Sequence, residues 1–239
     1  MAKSAYQRIL LKLSGEALMG KQKFGFEKEA CQTIAENIRD IYRMGIQVGV
    51  VVGGGNIFRG IQAKEFGFAR TPADHVGMLA TTLNGLILDQ CLENLGVNCH
   101  VMSALSADEV VDPYSWPQAM KHLQNGDVVI FVGGTGSPYF TTDTAAALRA
   151  SEIEAEVLIK ATKVDGIYDR DPLRYSSAKK FPKLTYTEVL TKKLSVMDAT
   201  AIALCRENGI PIHVINLFKK GSLLSAVREK KGGTLVSGE

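Results

Sequence analysis

Three times along this chain an apolar run of strand length stops at a small, glycine-rich turn. Ile9-Leu10-Leu11-Lys12-Leu13 runs into Ser14-Gly15, Val48-Gly49-Val50-Val51-Val52 into Gly53-Gly54-Gly55-Asn56, and Val128-Val129-Ile130-Phe131-Val132 into Gly133-Gly134-Thr135-Gly136. Near-continuous apolar runs of this length, with Lys12 as their only polar member, suit parallel strands covered on both faces. Parallel strands end along one edge of their sheet, so the three turns should meet there. Glycine lets backbone N–H groups approach an anion closely, and a helix that follows adds the positive end of its dipole. The pattern therefore points to a layered α/β fold with phosphate chemistry at one sheet edge.

The segments between these runs alternate helix and strand. From Glu27 to Met44, Ile34, Ile38, Ile41 and Tyr42 fall on one side and Gly45 follows as a stop. This predicts a helix that leads into the strand Ile46–Val52 as a right-handed parallel unit. A long helix is expected with Thr71 as N-cap and Pro72 in first position, running through Met78, Leu79, Leu83, Leu86, Ile87 and Leu92 to Gly96. Further strands are expected at Val97–Met102, Asp127–Val132, Glu156–Ile159 and Pro211–Ile215, with an edge strand at Gly233–Ser237. Helices are expected at Trp116–Leu123, from Thr142 onward, at Val196–Asn208 and at Gly221–Val227, and Asp169–Lys180 reads as an exposed loop. Such alternation means an open, mostly parallel sheet with helices on both faces. No linker or composition break divides the 239 residues, so a single domain over 1–239 is expected.

Composition removes several function classes. A net charge of +3 gives no support for a nucleic-acid partner. The longest apolar runs fall far short of the roughly 18–20 residues of a membrane helix, and Lys12 breaks the first run too early for a signal peptide, so no membrane role is expected. Cys31, Cys91, Cys99 and Cys205 form no CxxC pair and read as small hydrophobes in a reducing cytoplasm. His75, His100, His122 and His213 are isolated in sequence, so neither a metal site nor histidine-led catalysis is expected.

The chemistry must then come from the turns. Lys12 has leucine neighbours, and a buried unpaired ammonium costs several kcal/mol. It either snorkels from an edge strand or, with Ser14-Gly15, holds a phosphate. Three successive glycines at 53–55 exceed what a tight turn requires, which suggests a ligand against the backbone, with Arg59 as a charge-assisted donor. The run from Gly133 to Asp143 combines glycines, hydroxyls and a helix start, a suitable seat for a second substrate's phosphate. Asp143 either complements the helix dipole or engages a cation or lysine. GxxxxGK[ST] and a helix-opening GxGxxG are both absent, which argues against P-loop and dinucleotide folds.

Taken together, Lys12-Leu13-Ser14-Gly15-Glu16, Gly53–Asn56 with Arg59-Gly60, Asp74-His75 with Gly77-Met78, Gly134–Asp143, and Lys160-Ala161-Thr162-Lys163-Val164-Asp165-Gly166 resemble the bacterial uridylate kinases, a branch of the amino-acid kinase family. The likeness spans nearly the whole chain in order. It implies a sheet of about eight strands sandwiched by helices. It also implies transfer of the γ-phosphoryl group of ATP to UMP, with Mg²⁺ carried by ATP, by a cytoplasmic homohexamer of pyrimidine nucleotide synthesis inhibited by UTP. On this resemblance ATP is held by Lys12, Leu13, Ser14, Gly15, Gly55, Arg59, Thr162, Tyr168 and Asp171. UMP is held by Gly54, Asp74, Thr135, Gly136, Ser137, Pro138, Tyr139, Phe140, Thr141 and Thr142, with Asp74 on the ribose hydroxyls. The N-terminal part would serve mainly UMP, and residues from about 155 to 239 mainly ATP.

Lys12 and Lys163 are assigned to the transferring phosphoryl group with Arg59 assisting, Lys160 being the alternative to Lys163. Asp143 and Asp198 orient a lysine or the magnesium, and their division of roles is open. Many relatives are activated by GTP through basic side chains on the segment matching Leu86–His100; here Asp89 and Glu93 would repel a triphosphate, although Lys21 and Lys23 offer basic charge elsewhere, so GTP activation is not expected. A kinase of this fold acting on a carboxylate or carbamate would have little use for Asp74 and the Thr135–Thr142 hydroxyls. A regulator that had lost catalysis would not need the full lysine and aspartate set.

Overall fold

The apolar run around Lys12 forms the middle strand of a nine-stranded sheet. The computed structural model describes residues 4–59, 63, 65–194 and 196–238; Lys3 and Gly60 lie outside the described residues. The strands are β1 (Arg8–Leu13), β2 (Gln47–Val52), β3 (Cys99–Ser103), β4 (Asp112–Pro113), β5 (Val128–Val132), β6 (Val157–Thr162), β9 (Lys183–Leu184), β10 (Ile212–Asn216) and β11 (Thr234–Val236), with β7 (Ile167–Tyr168) and β8 (Lys180–Phe181) forming a separate antiparallel pair. Across the sheet the order is β4-β3-β5-β2-β1-β6-β10-β11-β9, and every pairing is parallel except that of β10 with β11.

The period of two along β1 divides the core into two layers. Ile9, Leu11 and Leu13 face the layer that holds Ile34, Ile38 and Ile41 of α1 (Lys28–Tyr42), Leu88 and Leu92 of α2 (Arg70–Glu93), and Leu223 and Val227 of α7 (Ser222–Glu229). Leu10 faces the opposite layer, with Leu123 of α3 (Trp116–Asn125), Ala146 and Ala150 of α4 (Thr142–Glu152), Val189 of α5 (Tyr186–Thr191), and Ile202 and Cys205 of α6 (Ala199–Glu207). Alternation puts Lys12 on the same side as Leu10, under α4, so this cation of the central strand is buried in the sandwich.

Several boundaries shift from the sequence reading for local reasons. Helix α2 begins at Arg70 with Ala69 at its N-cap, so Thr71 and Pro72 lie within the first turn. Pro72 is tolerated there because the first four helical N–H groups have no intrahelical acceptor. Helix α6 begins at Ala199, not Val196, because the Asp198 carboxylate accepts the Ala201 N–H at 3.0 Å and starts the helix there. The short strands β4, β7, β8 and β9 and helix α5 were not anticipated; runs of two to six residues carry too little periodicity to read. Among the described residues, no helix is long and apolar enough to cross a membrane.

The glycine turn after β2 is locked from behind by α2. Asn84, fully buried, donates Nδ2 to the Gly53 carbonyl at 2.5 Å and to Asn56 Oδ1 at 2.7 Å, while Asn56 Nδ2 donates to Asn84 Oδ1 and to the Gly25 carbonyl, both at 3.0 Å. Gly54 is needed for close approach: a Cβ there would lie 2.7 Å from the Gly77 carbonyl and 2.9 Å from Ala80 Cβ on α2. Asn84→Leu leaves the Gly53 carbonyl and Asn56 Oδ1 buried without their donor, so it should cost about 2–3 kcal/mol of stability. Chemical denaturation of the variant checks this; an unchanged unfolding midpoint would show that the Asn84 lock is dispensable.

Candidate functional site

Three turns and one helix start converge at the carboxyl ends of the central strands. The backbone of Gly15 packs against that of Gly53, with a Cβ on Gly15 falling 2.3 Å from the Gly53 carbonyl. A Cβ on Gly53 would in turn lie 3.2 Å from Thr142 Oγ1 at the start of α4. The third turn is pinned to α2 where the Gly133 N–H donates to Thr81 Oγ1 at 2.8 Å. Helix α4 is capped by Thr141, whose hydroxyl accepts from the Asp143 and Thr144 amides, and this sets Asp143 in the first turn above the second face of the sheet.

Beneath Asp143 stand two lysines. Lys12 on β1 is in direct register with Lys160 on β6, so parallel pairing places two ammonium groups side by side. One carboxylate holds both: Lys12 Nζ lies 2.6 Å from Asp143 Oδ1 and Lys160 Nζ lies 2.7 Å from Oδ2. Lys160 also donates to the Val196 carbonyl. Lys12 is only 7% exposed, so it is an internal charge and not a snorkelling edge residue. Burial pushes the Asp143 carboxyl up, but Lys12 and Lys160 outweigh it and hold Asp143 below the usual carboxylate range. For Lys160, burial lowers the ammonium; Asp143 offsets this only in part and Lys12 adds to it. Taken by themselves, Lys12, Lys160 and Asp143 leave one surplus positive charge to attract phosphate, offset in part at Lys160 by the nearby Asp198 carboxylate.

Asp198 occupies a different station. As N-cap of α6 it accepts hydrogen bonds from Thr141 and Thr144 of α4, the latter at 2.9 Å, and so joins the N-termini of the two helices. Lys163, assigned from sequence to the transferring group, is half exposed and pairs with Glu16 at 3.6 Å; Lys160 is the lysine that faces Lys12 and Asp143. Glu16 also pairs with Arg59 at 3.1 Å, and Arg59 Nε donates to the Gly55 carbonyl at 2.7 Å. Nothing in the sequence spacing marks the partners of Glu16 or Asn84, which become visible only in the fold.

Two clefts flank the cluster. The first, about 440 Å³, is bordered by Gly54, Arg59, Asp74, Met78, Phe140 and Thr142. Asp74 there accepts the Tyr139 N–H at 2.8 Å. Tyr139 has φ +75°, a left-handed conformation uncommon outside glycine, and is braced by Arg70, which stacks 4.6 Å from its ring centroid and donates to its carbonyl. Thr135 and Ser137 bond to one another within the same loop, next to Gly136 and Pro138. The second cleft, about 480 Å³, is bordered by Lys160, Thr162, Tyr168, Asp171, Lys192 and Val196. Gly55 and Arg59, expected with ATP, border the first cleft, whereas Thr162, Tyr168 and Asp171 border the second. Asp143 follows Thr142, which borders the first cleft, and grips Lys160, which borders the second. The histidines are not all isolated in space: His100 and His122 stack on one another beside Asp127, at the opposite end of the strands.

Comparison with known proteins places the chain and its fold. The chain is similar to a uridylate kinase of Protochlamydia amoebophila (strain UWE25), with 56% identity over 96% of this chain and 92% of that one. Among solved structures it is similar to a UMP kinase from Bacillus anthracis, with a TM-score of 0.93 and 38% identity over 97% and 96% of the two chains. A UMP kinase from Ureaplasma parvum superposes with a TM-score of 0.91 at 41% identity, over 97% and 99%. The model of the amino acid kinase family matches residues 7–216, from the strand that carries Lys12 to the end of β10, and the chain belongs to that family.

Proposed function

We infer that this chain is a UMP kinase that transfers the γ-phosphoryl group of ATP to UMP, giving UDP and ADP for pyrimidine nucleotide synthesis. The observation that carries this reading is a largely buried Lys12–Asp143–Lys160 cluster, two ammonium groups on one carboxylate, standing between two separate clefts. Phosphoryl transfer asks mainly for positioning and for charge at the equatorial oxygens, and a cluster of this kind supplies both. UMP is assigned to the cleft of Gly54, Asp74 and the Thr135–Thr142 loop, and ATP to that of Thr162, Tyr168 and Asp171, with the Lys12–Gly15 turn between them. The division into a UMP part and a C-terminal ATP part follows from this assignment.

Asp143 is given the task of orienting the two lysines, and Asp198 that of holding the α4 N-terminus in place. Both carboxylates are already engaged by protein donors, which fits a magnesium ion borne by the nucleotide's phosphates and not by a protein cage. Bound there, Mg²⁺ would neutralise charge on the β- and γ-phosphates. Val76, Leu79, Leu83 and Ile87 line one exposed side of α2 at helical spacing, an apolar stripe that supports assembly into a homo-oligomer, for which we retain the hexamer. A cytoplasmic location and inhibition by UTP, which shares uracil and ribose with UMP, complete the reading.

A coupled ADP-release assay across nucleoside monophosphates and small carboxylate acceptors tests the substrate: UMP should be turned over fastest, and preference for a carboxylate would replace this function. Two unit charges about 4 Å apart at an effective dielectric near 20 interact by about 4 kcal/mol, close to three decades of rate when the interaction is made only in the transition state. Lys12→Met and Lys160→Met should therefore lower kcat by about a hundred- to a thousandfold. Lys163→Met, at a half-exposed position, should lower it less than about tenfold. Equal losses at 160 and 163 would reject the geometric choice between them. Asp74→Asn should raise the KM for UMP more than it lowers kcat, and an unaltered KM would remove Asp74 from that cleft.

A further inference from the structure

At the amino ends of the strands, away from both clefts, three ligand-type side chains meet. His100 is the second residue of β3, Asp127 immediately precedes β5, and His122 lies in the last turn of α3. His100 Nε2 lies 3.3 Å and His122 Nδ1 3.5 Å from the same oxygen, Asp127 Oδ2, and all three ligand atoms fall within 4.8 Å of one another. A tetrahedral ion with metal–ligand bonds of about 2.0–2.1 Å separates its ligand atoms by about 3.3–3.4 Å. The two nitrogen–oxygen separations found here match such an edge, and the two nitrogens lie within 4.8 Å of each other.

The three groups are also held on rigid parts of the fold. His100 pairs in register with Val129, and Val128 with Cys99, which ties the first two ligands to adjacent strands. The Asp127 N–H donates to the His122 carbonyl at 3.0 Å across Gly126, whose φ of +90° turns the chain from α3 into β5. Asp89 of α2 interacts electrostatically with His100 and brings a second carboxylate to the same neighbourhood. Two imidazoles and one carboxylate are a donor set for zinc and its neighbours in the first transition row, not for magnesium or calcium.

We propose that His100, His122 and Asp127 form a binding site for a divalent transition-metal ion, with zinc the best match, at the end of the sheet remote from the nucleotide clefts. Three protein ligands leave a fourth position for water or for a donor from outside the chain. The bound ion would cross-link β3, β5 and the end of α3. It takes no part in phosphoryl transfer, since the β5 strand alone separates it from the glycine edge by roughly 15 Å.

Titration of the full-length protein with Co²⁺, followed by visible absorption and calorimetry, tests this directly. The site should take up one equivalent with the intense d–d bands of tetrahedral cobalt, and Zn²⁺ should displace it and raise the melting temperature. His122→Ala and Asp127→Asn should each weaken Co²⁺ binding at least tenfold. Absence of uptake by the wild-type protein, retention of full affinity in both variants, or a thiolate-to-cobalt charge-transfer band would each overturn the proposal, the last by assigning the metal to cysteine. Because the wild-type spectrum alone distinguishes nitrogen–oxygen from sulfur ligation, the test holds even if a variant fails to fold.

Discussion

One carboxylate shared by two lysines organises this molecule. Parallel pairing of β1 with β6 in a register that sets Lys12 against Lys160 would by itself bring two ammonium groups together inside a low-dielectric sandwich. Asp143 resolves that conflict, and it can do so only because α4 starts where it does, capped by Thr141 and seated over the second face of the sheet. The strand register, the helix start and the surplus positive charge are thus parts of one arrangement. A protein that needed only stability would fill this place with apolar side chains, since buried ion pairs seldom stabilise more than well-packed hydrophobic residues. Three charges gathered largely out of water at the core's edge are therefore a mark of function.

The same logic explains the glycines. Their abundance in the turns reads from sequence as room for a ligand, and at Gly55, where nothing lies within 4 Å of an added Cβ, the space is indeed open. Gly15 and Gly54 serve a different end: each lets one piece of backbone lie directly on another, so that the β1 turn, the β2 turn and α2 fit together without side chains between them. The glycine edge is as much a close-packed joint as a phosphate cradle, and Asn84 fastens it from the helix side.

How much of this could be read in advance depended on the range of the interaction. The central strands and the long helices carry their own periodicity, and Lys12 among leucines declared itself as a charge needing a partner. The identity of that partner did not, because Lys12 and Asp143 are joined only by tertiary packing. The choice between Lys160 and Lys163 depends on the phase and the end of β6, which one sequence leaves free: Lys160 lies within the strand opposite Lys12, and Lys163 lies just past its last residue, Thr162. Glu16, Asn84 and the stacked pair of His100 and His122 escaped notice for the same reason, each acquiring its meaning from residues distant in the chain. The two-residue strands and α5 were missed for the opposite reason, since they are too short to show a period at all.

Asp198 deserves a mechanical reading. By capping α6 with one oxygen while taking hydroxyl hydrogen bonds from Thr141 and Thr144, it makes the beginnings of two helices a single bolted corner. A corner of that kind resists sliding, so α4 and α6 must travel together or not at all. Any movement that admits and releases nucleotides is then left to the outlying loops, such as the strained turn at Tyr139, while the floor on which phosphate is exchanged keeps its shape.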